Sequence, residues 1–215
     1  RFHPLVNNAS DFQNCYQIRH TRYTLGTDLA KYPNFFKDEF SKSARKSIRR
    51  CIRAGLTYNI VEGPTCLNSF KRIYYASLDR NQASAFNYFD DNYFNTCLRF
   101  FKDNIVLVEA IYQGKVVSVS LNLVDKSVIH VHLSGTLTEY LWLSPAYIVK
   151  YATAMWGQNR GIGLIHYGGG ITNRARDSLY QFKAKFSKNT KFHYYTGQKV
   201  WQQQVYQHLC GLNGL

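Results

Sequence analysis

The sequence predicts a mixed α/β domain with a mostly antiparallel central sheet over residues 56–215. Three observations carry this. Residues 105–133 hold three β-rich runs separated by short turns, the pattern of an antiparallel meander. Helical periodicity brackets that meander on both sides. A strand, a run of three glycines and a helix then follow one another at residues 164–186.

Taken in order, residues 1–30 hold two short strands, at 15–20 and 23–25. Residues 35–54 read as one helix: Asp38 and Glu39 suit its first turn, and Gly55 stops it after an Arg-rich last turn. Ala44, Ile48, Cys51 and Ile52 recur there at helical spacing, opposite Lys42, Arg45, Lys46, Arg49 and Arg53. A strand at 56–61 precedes helices at 66–78 and 91–102. Strands at 105–112 and 116–124 join through Gln113-Gly114-Lys115, a compact hairpin turn, and a third strand spans 128–133. Ser144-Pro145 opens a helix, with serine as N-cap and proline at the first helical position, and Gly157 ends it. A strand at 164–167, Gly168–Gly170, a helix at 176–186, a strand at 192–195 and a helix at 200–209 complete the chain. From residue 56 the order is β-α-α-β-β-β-α-β-α-β-α, which matches the GNAT (acyl-CoA N-acyltransferase-like) fold element for element. Fold order alone does not assign an activity.

Hydrophobic residues make up 45% of the 215, which excludes a disordered chain. No apolar stretch approaches the ~20 residues that span a bilayer, and no signal peptide is expected from the opening residues. The five cysteines are odd in number and form no CxxC pair, so neither a disulfide framework nor a zinc site is indicated. Free, mostly buried thiols in a reducing cytosol are the expectation. Twenty-seven Lys and Arg against 13 Asp and Glu leave a formal charge of +14, which draws anionic partners such as tRNA, nucleotide phosphates or an anionic membrane face. The chain opens at Arg1 without a methionine, so a truncated or processed protein is expected.

Several motifs resemble the Fem-type (FemABX-like) peptidoglycan bridge aminoacyltransferases, whose members carry two GNAT-like domains in tandem. These are Arg1-Phe2-His3-Pro4-Leu5, the basic run from Ser41 to Arg50, and Tyr74-Tyr75-Ala76-Ser77-Leu78-Asp79-Arg80-Asn81-Gln82-Ala83. Leu133-Ser134-Gly135, His166-Tyr167-Gly168-Gly169-Gly170 and the run from Asp177 to Lys183 follow in the same order. The resemblance implies a transferase that moves an aminoacyl group from aminoacyl-tRNA to an amine of a nucleotide- or lipid-linked muropeptide. It also implies that residues 1–55 are the tail of a first GNAT-like domain and 56–215 a complete second one. It further implies a cytoplasmic place at the inner membrane face, with neither a metal nor a bound cofactor. Acyl-CoA as donor, and a non-catalytic basic module that binds nucleic acid or an anionic surface, are the alternatives.

Acyl transfer to an amine needs a bound ester or thioester, a deprotonated amine and help for the oxyanion and leaving group. In the GNAT architecture two neighbouring strands splay and expose main-chain N–H groups; here that opening is expected between residues 129–134 and 164–167. Asn173, Ala175, Tyr180 and Phe186 resemble the run on the fourth GNAT helix, where a tyrosine protonates the leaving group; packing against the sheet is the other reading of Tyr180. The Fem-type pattern links a lysine at position 183 to transition-state charge, where an ordinary solvated lysine would serve equally. Tyr180 and Lys183 are thus the catalytic candidates. Gly135, His166, Tyr167, Gly168 and Gly169 are candidates for holding substrate, with a core histidine and a plain strand-to-helix turn as the rival readings. Arg80 and Asn81 match the position where that pattern contacts a precursor's phosphate or peptide, and a bidentate arginine suits either.

Gln158-Asn159-Arg160-Gly161-Ile162-Gly163 spells Q-x-x-G-x-G, the run that cradles CoA pyrophosphate, but it follows its helix where it should precede one. It is a decoy. The segment in the proper place, residues 134–144, holds one glycine, a glutamate and no basic residue, which disfavours CoA. Lys42, Arg45, Lys46, Arg49 and Arg53 are the candidates for touching a tRNA backbone, or simply a solvated helix face.

Overall fold

A two-residue turn sets the register at the centre of the sheet. Gln113 and Gly114 take φ of 49° and 76°, the type I′ pair whose twist suits flanking antiparallel strands. In this computed structural model, which describes residues 1–172, 174, 176–212 and 214, the turn joins β3 (Ile105–Tyr112) to β4 (Lys115–Val124). A tight turn at 125–127 then leads into β5 (Val128–Thr136), and the meander is complete.

The chain divides into two compact units, Leu25–Lys191 and Arg1–Thr24 with Phe192–Leu215. In the larger unit the sheet order is β2 (Thr57–Glu62), β3, β4, β5, β6 (Leu164–Gly168) and the last residues of β1 (Gln17–Asp28). Every pairing there is antiparallel except β5 with β6, which is parallel. Alternation along β3 explains the two cores. Val106, Val108 and Ala110 face α2 (Lys42–Arg53), α5 (Ala146–Asn159) and α6 (Ser178–Ala184). Ile105 and Leu107 face α3 (Asn68–Arg80) and α4 (Asp91–Phe101). Ala44, Ile48 and Cys51 of α2 share a core with Ile148, Val149 and Ala152 of α5, so one core serves residues on both sides of position 55. The boundary expected there and the division by compactness fall in different places.

The smaller unit is built on β1 paired with β7 (Lys191–Gln198). The Thr21 and Thr196 hydroxyls lie 2.9 Å apart, and the Phe2 amide donates to the Tyr195 carbonyl. The last helix, α7 (Gln203–Leu212), belongs to it and starts three residues later than expected.

Three local expectations change. The single helix at 35–54 is two, α1 (Phe35–Asp38) and α2. The break falls at Glu39, which is fully buried and accepts hydrogen bonds from the Asn189 amide and the Thr190 hydroxyl. Ser41 then caps α2 by accepting from the Ala44 amide. The two short strands at 15–20 and 23–25 are one continuous β1. Ser144 is no N-cap: it closes a 3₁₀ turn over Thr138–Leu143 in the left-handed region, with φ 57°. Its hydroxyl accepts from the Arg50 guanidinium instead. Two of the five thiols, Cys51 and Cys97, are buried, fewer than expected. Among the described residues no helix is long and apolar enough to cross a membrane.

Candidate functional site

β5 and β6 pair over three positions only, from Val128↔Leu164 to His130↔His166. Beyond them β5 stays with β4 as far as Thr136, while β6 follows β1 to Gly168. The strands therefore separate directly after the two histidines, within the stretch where the opening is expected. From there to Thr136, alternate main-chain groups on one edge of β5 have no strand partner among the described residues. A cavity of about 250 Å³ lies beside this edge. Ser134, Gly135 and Thr136 of β5 and Ser118 and Val119 of β4 form one wall, and Ser77 and Asn81 come from the α3 side. Ala146, Val149 and Lys150 of α5 and Leu179 and Phe182 of α6 close the other.

One lysine lines this cavity, and a second stands on the adjacent face of α6. Lys150 is only 6% exposed, and its Nζ sits 4.8 Å from the centre of the Tyr167 ring. Among the described residues its ammonium has no hydrogen-bond acceptor. Burial, and then the like charge of Lys183, pull the Lys150 amine down to about 7. Lys183 is half-buried and donates to the Gly169 carbonyl at 2.6 Å. Burial lowers its amine to about 8, against the opposing pull of Asp177.

Asp177 organises the turn that delivers Lys183. One carboxylate oxygen accepts from the Tyr180 amide at 2.8 Å and caps α6; the other accepts from the Thr172 amide at 2.7 Å and from its hydroxyl. Burial raises this carboxyl, but the hydrogen bonds outweigh it and hold it below the usual carboxylate range. A side chain at Gly170 would meet the same carboxylate at 2.5 Å, so the backbone there must be bare. Gly168 holds φ 72°, a left-handed backbone that glycine adopts without strain.

The remaining candidates fall into place unevenly. Asn81 and Gly135 line the cavity. Gly135 has a second duty, because a Cβ there would stand 2.7 Å from the Ile73 carbonyl oxygen of α3. Arg80 is turned onto the chain itself, donating to the Thr136 carbonyl and the Ser77 hydroxyl. Tyr167 is buried in the core, its hydroxyl 2.7 Å from that of Thr27, and it meets the site only as the ring under Lys150. His166, one residue earlier on the strand, lies edge-on to His130 at 5.6 Å. Tyr180 packs against the core and does not line the cavity. The reason is helical phase: Leu179 and Phe182, three apart, take the cavity face, which turns Tyr180 and Lys183 to the adjacent one. Asn173 and Ala175 lie outside the described residues.

Lys150 escaped the sequence reading. Its signal was present, since it is the one charged residue in α5, AYIVKYATAMWGQN.

The first turn of α5, where amides would meet a pyrophosphate, has three of its amides engaged within the chain. The Tyr147, Ile148 and Val149 amides already donate to the Ser144 and Pro145 carbonyls. The Q-x-x-G-x-G run ends α5, with Gly161 at φ 70° and the Ile162 amide on the Gly157 carbonyl, a helix C-terminus.

Lys42, Arg45, Lys46, Arg49 and Arg53 line a single groove of about 640 Å³ with Asn34, Phe36 and Lys37. Arg45 is spent on structure, donating to the Lys37 carbonyl at 2.7 Å. Arg49 lies over the Phe36 ring at 5.6 Å. No acidic side chain is among the residues that line the groove.

The acetyltransferase (GNAT) domain family matches residues 39–184. No curated protein matches the chain. Among solved structures, the C-terminal domain of a putative lysylphosphatidylglycerol synthetase from Agrobacterium fabrum aligns with a TM-score of 0.67 at 16% identity, over 98% of this chain and 68% of that one. FemX aligns with a TM-score of 0.67 at 13% identity, over 97% and 66%. L-PGS from Bacillus licheniformis gives 0.66 at 13%, over 97% and 70%. The chain thus spans about two thirds of each, and identities this low speak for the fold alone.

Proposed function

This chain belongs to the acetyltransferase (GNAT) domain family, and from that premise we propose that it transfers an aminoacyl group from aminoacyl-tRNA to an amine of a peptidoglycan precursor. The observation that carries the reading is the cavity beside the open edge of β5, walled by Lys150, with Lys183 on the adjacent face of α6. A carbonyl held there would meet unpaired main-chain groups as its oxygen becomes negative. Lys183 brings a positive charge to the same region, and Asn81 and the Ser118 and Ser134 positions supply polar contacts for an acceptor.

Two features favour tRNA over CoA as donor. The first turn of α5 has its Tyr147, Ile148 and Val149 amides already engaged, so it offers little to a pyrophosphate. The groove along α2 presents five basic side chains to a polyanion. The Fem-type motifs of the sequence point the same way. Tyr180, packed on the core, is given the task of seating α6 so that Lys183 faces Gly169. The acceptor is a muropeptide, nucleotide- or lipid-linked, and the net charge of +14 suits work beside an anionic membrane.

The test uses the purified protein with tRNA carrying a labelled amino acid and a muropeptide precursor, beside a second reaction with labelled acetyl-CoA and the same acceptor. Labelled precursor from the tRNA reaction alone is the expected result. Label arriving only from acetyl-CoA would replace this reading with a CoA-dependent N-acyltransferase. Tight RNA binding with no transfer from either donor would leave a binding module.

A further inference from the structure

A buried ammonium that lines a small, half-closed cavity, with the like charge of Lys183 nearby, is poorly placed to keep its proton as an amine acceptor enters. Lys183 has an acceptor for its protons in the Gly169 carbonyl, and Asp177 offsets its charge. Lys150 has neither. It is 6% exposed, it lines the cavity, and an aromatic ring lies on one side of its Nζ. Of the pair, Lys150 is the one that gives up its proton at least cost, and its free lone pair then borders the space an acceptor would enter.

We propose that Lys150 is the general base and proton shuttle of the transfer, taking a proton from the attacking acceptor nitrogen and passing it to the departing oxygen. This rests on the aminoacyl-transfer reading above. As the new C–N bond forms, the nitrogen loses one proton to Lys150 Nζ. As the ester C–O bond breaks, the same proton goes to the ribose oxygen. Amine plus ester become amide plus alcohol, and no proton, electron or co-reactant is left over.

The titratable groups that face Lys150 are few. Tyr167 comes from β6 and Lys183 from α6. β4 and β5 contribute Ser118, Ser134 and Thr136 to the cavity wall, and the α3 side contributes Ser77 and Asn81. No carboxylate lines the cavity among the described residues. The proton affinity of Lys150 is therefore set by burial and by Lys183, and both hold it near neutrality, where a base works best.

Two measurements test this role. The first is the pH dependence of Lys150 acetylation by acetic anhydride, read by mass spectrometry. It needs no turnover, so it reports on the amine even if no donor proves active. Lys150 is expected to reach half-maximal reactivity near pH 7, well below the exposed lysines. A midpoint in common with the surface lysines would overturn the proposal. The second is the transfer assay on Lys150→Met and Lys150→Arg across pH 5.5–9. Both variants should lose about 100-fold or more in kcat, together with the acidic limb of the profile. Arginine keeps the charge but cannot act as a base near neutral pH. Activity of Lys150→Arg within threefold of wild type would therefore make position 150 an anion seat and sink the shuttle. Absence of wild-type transfer from either donor would instead sink the aminoacyl-transfer reading.

Discussion

Replacing Lys150 by methionine should make the protein more stable at pH 7, and the gain should shrink as the pH rises. Methionine keeps most of the side-chain volume and its contact with the Tyr167 ring, and it removes a buried amine. The amine falls from 10.5 in the unfolded chain to about 7 in the fold. The difference, 10.5 − 7 = 3.5, multiplied by about 1.4 kcal/mol per pH unit, gives a ceiling of about 5 kcal/mol. Relaxation and water entering the cavity reduce this to about 2–3 kcal/mol. The sign follows from proton counting. Between pH 7 and 10.5 the unfolded wild-type chain binds the proton and the folded one does not, so wild-type stability rises with pH across that window. Below pH 7 both states bind it and the full cost is present; above 10.5 neither does and the cost is gone. The variant lacks this dependence. Urea denaturation of both proteins at pH 7, 8 and 9 should show the advantage of Lys150→Met falling by about 1–2 kcal/mol over the series. A constant gap between the two proteins, or a variant less stable than wild type at pH 7, would show that Lys150 is not desolvated as its surroundings require.

Other expectations follow from the same contacts. In Gly135→Ala the new methyl would stand 2.7 Å from the Ile73 oxygen; an ordinary contact of 3.4 Å requires α3 to retreat by about 0.7 Å, since 3.4 − 2.7 = 0.7. Overpacking of that kind costs about 1–3 kcal/mol and lowers Tm by about 2–12 °C for a chain of this size, measurable by thermal denaturation. Asp177→Ala should cost about 1–2 kcal/mol at pH 7 by urea denaturation, through loss of the α6 cap and of the Thr172 contacts. Its carboxyl is lowered from 3.8, so that contribution is present above about pH 4 and fades as the pH drops through the folded value; the deficit of the variant should narrow at pH 3. Lys46→Glu combined with Arg49→Glu should weaken tRNA binding and flatten the log–log salt dependence by roughly two contacts' worth, at about 0.7–0.9 per contact. An unchanged slope between 50 and 200 mM salt would remove the α2 groove from the RNA-binding surface.

What the sequence made legible depended on how far the determinants of each feature lie along the chain. The β3–β4 turn was readable because Gln113 and Gly114 carry the whole instruction in two residues. The order of elements was readable for the same reason, each being announced by its own periodicity and stop signals. The break between α1 and α2 was not. Asp38 and Glu39 look like ordinary first-turn residues, and only Asn189 and Thr190, 150 and 151 positions away, pull Glu39 into the core and end the first helix. Ser144 failed likewise, because Arg50 takes its hydroxyl from another helix. The site divides on the same principle. That Tyr180 and Lys183 share a face is local and was legible; which face of α6 meets the cavity depends on how Phe182 packs against Tyr147 and Phe186, and was not. Lys150 is the instructive exception. A single cation in a helix with no other charged residue is a local signal, and an unpaired buried charge is costly enough to require a reason. Searching for the residue whose presence opposes the stability of its own element would have found it, since burial tolerates such a group only where the fold or its chemistry makes use of it.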